Sequence, residues 1–498
     1  MNERLYVAGE FYGIQKYVLG ITAAGGGQAK RLRARSFVVQ ALEQIVVEEL
    51  RALGSSELIM AGGGQFVLAL ENSQAAQPRL LEFRRELQER LFKELGGELS
   101  FNLGWSDSIE QARHARELER RRPWAEYMTG PNGWAHERMR LGNIYPPCDI
   151  CGKRRETVTW SSDGPPESVC ERCNSDRSIG TQIPHVQGVE LAEHDSDIQL
   201  LGRGLRFRHA SSGAAVGDGG RALHRYVPVQ DDRKTLLTFE EIAAKAEGDE
   251  LLGILKADVD SFGRLIAKHT KEGTLDALER VSKDLDGFFS ITLQRAISEN
   301  AEWKYIYTVF SGGDDLLLVG PWSVMLDFAA TVESMFSSGP GRQYGLSLSA
   351  AVSFMPPRIP IRHGVHRAET DLKQAKGGSK NHCATLGGVW DWEDFRRILG
   401  KGRQLVKWWT CGVKKALLRR LYHIAASAEP GAQLWAWELG RNFPPRNSPH
   451  DELRLFREWG DRVLANWEAG TMNETRAALL YALTATRMIR SKDERRGR

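Results

Sequence analysis

Three features of the sequence predict an α+β architecture. A strand–helix–hairpin pattern occurs twice, paired cysteines lie between the two copies, and a helical periodicity takes over after about residue 396. The first copy opens with Leu5-Tyr-Val-Ala-Gly-Glu10-Phe-Tyr-Gly-Ile-Gln15, a strand running into a helix, and the second with Leu255-Lys-Ala-Asp258-Val-Asp-Ser-Phe-Gly263. Each is followed by a long helical stretch and a glycine-rich turn between two apolar strands. These turns are Leu58-Ile-Met-Ala-Gly62-Gly63-Gly64-Gln65-Phe-Val-Leu and Tyr307-Thr-Val-Phe-Ser311-Gly312-Gly313-Asp314-Asp315-Leu-Leu-Leu. Glu10 and Gly64 are 54 residues apart, and Asp258 and Asp314 are 56 apart. A β–α–β unit with a tight hairpin, made twice at matched spacing, predicts two ferredoxin-like domains of the palm type.

The elements after the second hairpin follow the same logic. Tyr344 to Phe354 alternates as a strand does, Pro356 and Pro357 end it, and His363 to Lys376 reads as a helix stopped by Gly377-Gly378. Cys383-Ala-Thr-Leu-Gly is a last strand. The expected segments are 1–145 for the first palm, 146–235 for a polar, cysteine-bearing insert, 236–395 for the second palm and 396–498 for an α-helical bundle. Trp408, Trp409, Trp435, Trp437, Trp459 and Trp467 of the bundle read as packing residues rather than base-stacking platforms, and Arg490 to Arg498 as a solvated, frayed end.

Composition narrows the function classes. Hydrophobic residues make up 41% and charged residues 27%, as in an ordinary globular protein, and 498 residues exceed what one core usually holds. The net charge of +4, from 68 basic against 64 acidic residues, excludes a bulk nucleic-acid coat but leaves room for local basic patches. No apolar run approaches the ~18 residues of a membrane span. The chain enters a strand at once, without space for a signal peptide, and six cysteines in this length are no disulfide scaffold. The expectation is a cytoplasmic, multi-domain protein.

Asp258 at a strand end, with Asp314 and Asp315 in the neighbouring tight turn, is the pattern of carboxylates converging on one point. Such a cluster repels itself unless a cation neutralises it, and magnesium or manganese suits an all-oxygen site shared with substrate phosphates. Two such ions activate a ribose hydroxyl and stabilise departing pyrophosphate. Ser311, Gly312 and Gly313 leave room for a nucleotide. The backbone from Val259 through Asp260, Ser261 and Phe262 to Gly263, opening a helix, is expected to hold a triphosphate. Lys376 and Lys380, beside glycines at a helix end, reach phosphates as flexible point charges, or alternatively serve as a helix C-cap.

Cys148-Asp-Ile-Cys151 and Cys170-Glu-Arg-Cys173, with 18 residues between the pairs, match one tetrahedral zinc with four thiolates and no open position, hence a structural site; redox dithiols are the alternative. Cys383 and Cys411 stand alone and read as buried packing residues. Lys30-Arg31-Leu-Arg33-Ala-Arg35 follows the glycine loop Gly25-Gly26-Gly27. It is either a solvated helix face or a contact for an RNA backbone or an acidic neighbouring subunit.

Three stretches together resemble the large subunit of type III CRISPR effector complexes, the Cas-ten family, and its III-A branch in particular. They are Val7 to Val18 with Lys30 to Phe37, the four-cysteine insert through Ser178-Ile-Gly180, and the run of Leu255 to Asp260, Ser311 to Asp315 and Ala375 to Asn381. The match spans roughly residues 5–395, and the helical tail fits by position only.

The resemblance implies a nucleotidyltransferase of antiviral defence that turns ATP into cyclic oligoadenylate when its complex binds target RNA. The implied partners are guide RNA, target RNA, and the backbone, small and guide-end-capping subunits. Asp258, Asp314 and Asp315 would hold the metals, and Lys376 and Lys380 would meet phosphate. The first palm has Gly64-Gln65 where the second has Asp314-Asp315, so it would bind nucleotide without catalysing, in space left by Gly62, Gly63 and Gly64. Glu10 and Tyr12 depart from the Asp and Ser expected there. Family members often carry an N-terminal HD nuclease domain. Here the palm signature begins at residue 5, His194-Asp195 and His450-Asp451 have no partner histidines, and no single-strand nuclease activity is expected. A free-standing diguanylate-type cyclase and a catalytically silent scaffold subunit are the competing readings.

Overall fold

The structure is a computed structural model of the full chain. It describes residues 4–21, 27–122, 124–130, 133–134, 146–160, 166–183, 186–209, 221–222, 228–229, 236–272, 275–312, 314–427 and 431–486. Gly313, Gly25, Gly26 and the tail Arg490 to Arg498 lie outside these residues.

The first sheet is built from β1 (Arg4–Tyr12), β2 (Ser56–Gly62), β3 (Gln65–Glu71) and β4 (Ser100–Ser106). Its helices are α1 (Ile14–Val18), α2 (Gln28–Arg51), α3 (Ala76–Leu95) and α4 (Ile109–Glu119). The strand order is β2-β3-β1-β4, with β1 antiparallel to both neighbours, the ferredoxin-like arrangement the sequence predicts. β1 is apolar at Leu5, Val7 and Ala8, all fully buried, which fixes its register. Ser108 caps α4 by accepting from the Gln111 amide at 3.3 Å.

The cysteine-bearing segment holds α5 (Ala125–Met128), β5 (Thr129–Gly130), β6 (Gly133–Trp134), β7 (Val158–Trp160), β8 (Glu167–Val169) and α6 (Glu171–Gln182). It continues with β9 (Val186–Ala192), β10 (Ile198–Leu200), β11 (Arg203–His209) and β12 (Arg221–Ala222) in the order β10-β11-β9-β12.

The second sheet adds α7 (Phe239–Ala243), β13 (Leu252–Asp260), α8 (Phe262–Lys271), α9 (Leu275–Gly287), α10 (Leu293–Glu299), β14 (Tyr307–Gly312) and β15 (Asp315–Pro321). It goes on through α11 (Trp322–Ser338), α12 (Pro340–Tyr344), β16 (Ser347–Met355), α13 (Ile361–Lys376), β17 (His382–Thr385) and β18 (Gly388–Asp391). Its order, β14-β15-β13-β16-β17-β18, repeats the first sheet strand for strand and appends two. Glu10 and Asp258 both stand seventh in nine-residue first strands, which confirms their alignment as counterparts.

The chain closes with α14 (Trp392–Thr410), α15 (Lys415–Ala425), α16 (Gly431–Arg441), α17 (Asp451–Ala465) and α18 (Ala469–Ala485). Trp408, Trp435 and Trp459 are buried there against Phe443, Phe456 and Trp467, so these tryptophans pack the bundle as expected; Trp437 is half exposed. Cys383 is buried, but Cys411 is exposed, because the chain leaves α14 at that residue.

Two compact units result: Met1–Thr238 with Ser261–Leu317 and Pro360–Arg362, and Phe239–Asp260 with Leu318–Ile359 and His363–Arg498. In the first, α2 packs on α6 and on β14, α9 packs on β2, and α4 packs on α8. In the second, α11 covers β13 and β16, and α14 packs on α18.

Candidate functional sites

In the second unit, Asp258 and Asp260 project from one face of β13, since side chains two apart on a strand share a face. Their environments differ sharply. Asp258 is one-third exposed and forms an ion pair with Lys376, the last residue of α13. Asp260 is only 2% exposed and is fully engaged. It accepts from Ser347 Oγ at 2.9 Å, from Ser349 Oγ at 2.8 Å and from the Asn381 amide at 3.0 Å. The antiparallel register that sets Asp258 against Ser349 and Asp260 against Ser347 makes these contacts. Lys380 and Asn381 take left-handed backbone angles, φ 60° and 57°, and the Asn381 amide bonds hold that turn in place. Asp260 thus ties the Lys380–Asn381 turn to the strand pair, and its signal in the sequence was Asp258-Val-Asp260 opposite Ser347-Leu-Ser349. Val259 and Asp260 belong to the strand, and α8 starts only at Phe262, so the helix-opening backbone is shorter than expected. Ser261 adopts φ 64°, Phe262 is buried, and Gly263 faces open space.

In the first unit, Asp314 and Asp315 follow the end of β14 and are partly exposed. Ser311 is fully buried and donates to the Phe289 carbonyl at 2.7 Å, in the π-helical turn Phe288–Thr292, so its hydroxyl braces the hairpin rather than facing a ligand. Gly312 ends β14.

The first-sheet turn corrects a second expectation. Gly64 is not open: a Cβ there would lie 2.4 Å from Ile14 Cδ1, and its amide donates to the buried Glu43 carboxylate at 2.7 Å. Gly63, at φ 65°, does face space, with Phe310 as its nearest neighbour at 4.0 Å. Gly62 ends β2. Glu10 is held by Arg116, 3.4 Å away, and Arg116 also donates to Gln65 Oε1 at 3.3 Å. In both sheets, then, a cation from the helix after the fourth strand sits on the first strand's acid: Arg116 on Glu10, and Lys376 on Asp258.

Cys148, Cys151, Cys170 and Cys173 are all buried, with ligand atoms within 4.8 Å of one another. Among the described residues this is the one group of three or more such side chains drawn together tightly enough for a metal. The Gly152 amide bonds the Cys148 carbonyl at 2.8 Å with Gly152 at φ 65°, and Cys170 caps α6. Both turns aim the sulfurs inward. Hydrogen bonds from Cys148, Cys170 and Cys173 pull the Cys151 thiol far down, and the same crowding pushes Cys173 far up. Four thiolates share such a space when a cation neutralises them, so the donor set fits structural zinc.

The basic run on α2 is neither solvated nor presented to RNA: Arg31, Arg33 and Arg35 are 1%, 3% and 0% exposed. Arg35 pairs with Asp176 at 2.9 Å, donates to the Tyr17 carbonyl at 2.9 Å and approaches Cys173 Sγ at 3.6 Å. Arg31 donates to the Cys173 carbonyl and pairs with Glu167 at 3.1 Å. Arg33 donates to the Thr308 carbonyl, and Tyr307 Oη to the Ala29 carbonyl at 2.5 Å. Gly180 lets the helices touch, since a Cβ there would lie 1.8 Å from the Lys30 carbonyl oxygen. The run therefore docks α2 between the cysteine module and β14.

Comparison with known proteins agrees with this geometry. The family described as Cas10/Cmr2, second palm domain, matches residues 251–384, and Csm1 subunit domain B matches residues 4–126. The Thermococcus onnurineus protein named CRISPR system single-strand-specific deoxyribonuclease Cas10/Csm1 (subtype III-A) is 24% identical over 436 residues, covering 77% of this chain and 55% of the relative. The Mycobacterium tuberculosis protein of the same name is 24% identical over 427 residues, covering 72% and 51%. A crystal structure of a Csm1-Csm4 cassette in complex with cA4 superposes with a TM-score of 0.72 at 18% identity, over 98% of this chain and 70% of that one. The same cassette with one ATP gives the same values. The chain spans about half the length of these curated relatives.

Fold and site together define a palm-domain protein. More particularly, the chain is similar to the Cas10/Csm1 proteins of subtype III-A and carries matches to two of their domains, the second palm over residues 251–384 and domain B over residues 4–126. No helix among the described residues is long and apolar enough to cross a membrane.

Proposed function

We propose that this chain is the nucleotide-polymerising large subunit of an RNA-guided type III effector, making cyclic oligoadenylate from ATP when target RNA is bound. The observation that carries the reading is Asp258. It is a partly exposed carboxylate near the end of a palm strand, already paired with a cation, Lys376, in a segment matching the family's second palm. Asp258 takes the place of Glu10, and Asp314 and Asp315 take those of Gly64 and Gln65, so at the hairpin the second domain has two carboxylates where the first has none. Relatives of this fold bind ATP and cA4.

In this reading Asp258, Asp314 and Asp315 hold magnesium or manganese, and an all-carboxylate set fits such hard cations. Such ions, held by these carboxylates, would supply Lewis-acid activation of a ribose hydroxyl and charge neutralisation for a pyrophosphate. Lys376, paired with Asp258 in this structure, would be released toward substrate phosphate if a cation took over Asp258, and Lys380, on the turn pinned by Asp260, would meet the triphosphate. The first domain, residues 1–145, holds the acceptor nucleotide over Gly63. The cysteine module within 146–235 carries structural zinc, 236–395 is the catalytic domain and 396–498 the helical bundle. Guide RNA, target RNA and neighbouring subunits complete the complex.

Labelled ATP with magnesium, with and without matched RNA in the assembled complex, tests the reading. Asp314→Ala or Asp315→Ala abolishes polymerisation while assembly survives; a double variant that still makes oligoadenylate at the parent rate removes this site from consideration.

A further inference from the structure

The cysteine module and the first domain meet along a buried seam of charge. Arg35 on α2 faces Arg172 and Asp176 on α6, and the three side chains are 0%, 11% and 0% exposed. One carboxylate serves both guanidiniums: Asp176 lies 2.9 Å from Arg35 and 3.0 Å from Arg172. The other acid beside Arg172, Glu94, is 3.8 Å away and partly exposed. The seam itself therefore carries one positive charge in excess. A buried charge without a counter-charge is costly, so an anion has to answer it.

The answering group is a sulfur. Arg35 spends Nε on Asp176 and Nη1 on the Tyr17 carbonyl, and its remaining nitrogen, Nη2, lies 3.6 Å from Cys173 Sγ. A neutral thiol is a weak acceptor, whereas a thiolate makes a charge-assisted bond with a guanidinium. Arg31 fixes the same residue from its other side, donating to the Cys173 carbonyl at 3.4 Å. The need for such a donor follows from the donor set: four thiolates around one divalent zinc leave two negative charges in a buried site. One guanidinium offsets one of them. That guanidinium comes from a helix 138 residues earlier in the chain, outside both Cys-x-x-Cys turns.

We infer that Arg35 is a positioning residue of the zinc centre: it donates to the Cys173 thiolate, tightens the hold on zinc and links zinc binding to the docking of α2. This rests on the structural-zinc reading and adds a residue of the first domain to it. By reciprocity, whatever α2 adds to zinc affinity, zinc adds to the docking of α2.

Zinc affinity of the full chain is measured by competition with a chromophoric chelator for the parent, Arg35→Met and Asp176→Leu. Their cobalt-substituted forms are compared by absorption. Arg35→Met raises the zinc Kd by about 10- to 100-fold, the usual cost of losing a hydrogen bond to a metal ligand. It also moves the sulfur-to-cobalt charge-transfer band to lower energy, because a sulfur that accepts no hydrogen bond gives up electron density more readily. Asp176→Leu breaks the same docking pair but leaves the sulfur contact, so it destabilises the fold without moving the band to lower energy. A parent-like Kd and band in a folded Arg35→Met overturn the inference. A raised Kd with an unmoved band, or equal shifts in both variants, also overturns it, since Arg35 would then act by packing alone. Should Arg35→Met not fold, the parent decides: chelating its zinc quickens amide exchange over residues 28–37 of α2, and unchanged exchange there refutes the link. A folded parent that binds no zinc overturns the zinc reading itself.

Discussion

Replacing Asp176 with alanine strikes the point where the cysteine module joins the first domain. The carboxylate is fully buried and bridges two guanidiniums, Arg35 Nε at 2.9 Å and Arg172 Nε at 3.0 Å, of which Arg35 is itself fully buried. Removing it leaves Arg35 with the Tyr17 carbonyl and the Cys173 sulfur as its hydrogen-bond partners, while Arg172 keeps the Tyr17 hydroxyl at 3.0 Å. Stranding a buried charge in this way costs about 3–5 kcal/mol. At roughly 2–4 °C per kcal/mol for a domain of this size, the midpoint of the first unit falls by on the order of 10 °C. Arg35→Met with Asp176→Leu removes both charges and recovers most of the loss, because desolvation is no longer demanded of either. Thermal and denaturant unfolding of the parent, Asp176→Leu, Arg35→Met and the double variant, with zinc saturating, measures the coupling. An Asp176→Ala unfolding free energy within about 1 kcal/mol of the parent would show that the buried network does not hold the module, and the argument from burial would fail.

Elemental analysis of the purified protein finds one zinc per chain, and Cys170→Ala, by loosening the module, exposes residues 146–235 to limited proteolysis before either palm; a zinc-free folded protein refutes this. Gly64→Ala costs about 1–3 kcal/mol in stability, since φ is 80° and Ile14 occupies the Cβ position, and denaturant titration checks it. Gly63→Leu, facing space, pays mainly the left-handed backbone cost of about 1–2 kcal/mol and raises the apparent KM for ATP more than it lowers kcat. Asp260→Ala releases the Ser347, Ser349 and Asn381 contacts, so amide exchange at Lys380 and Asn381 quickens while the zinc module's exchange stays unchanged.

Periodicity and spacing determined what is local in this chain. Strand-to-helix runs at Leu5 to Gln15 and Leu255 to Gly263, with tight glycine turns at matched distances, were enough to predict two sheets of one topology, because strand pairing in a hairpin is set by neighbouring residues. The Cys-x-x-Cys pairs announced their convergence for the same reason: each turn presents two sulfurs, and one metal needs four. The tertiary structure alone decided where charges went. Lys30 to Arg35 looked like a surface strip, since nothing within six residues reveals that Asp176, Glu167 and the Thr308 carbonyl come from 136 to 275 residues away to receive it. Lys376 read as a free phosphate ligand until the fold set it on Asp258, and Gly64 as empty space until Ile14 filled it. Burial and ion pairing depend on which elements pack together, and that information is spread over the whole chain rather than carried by any one segment.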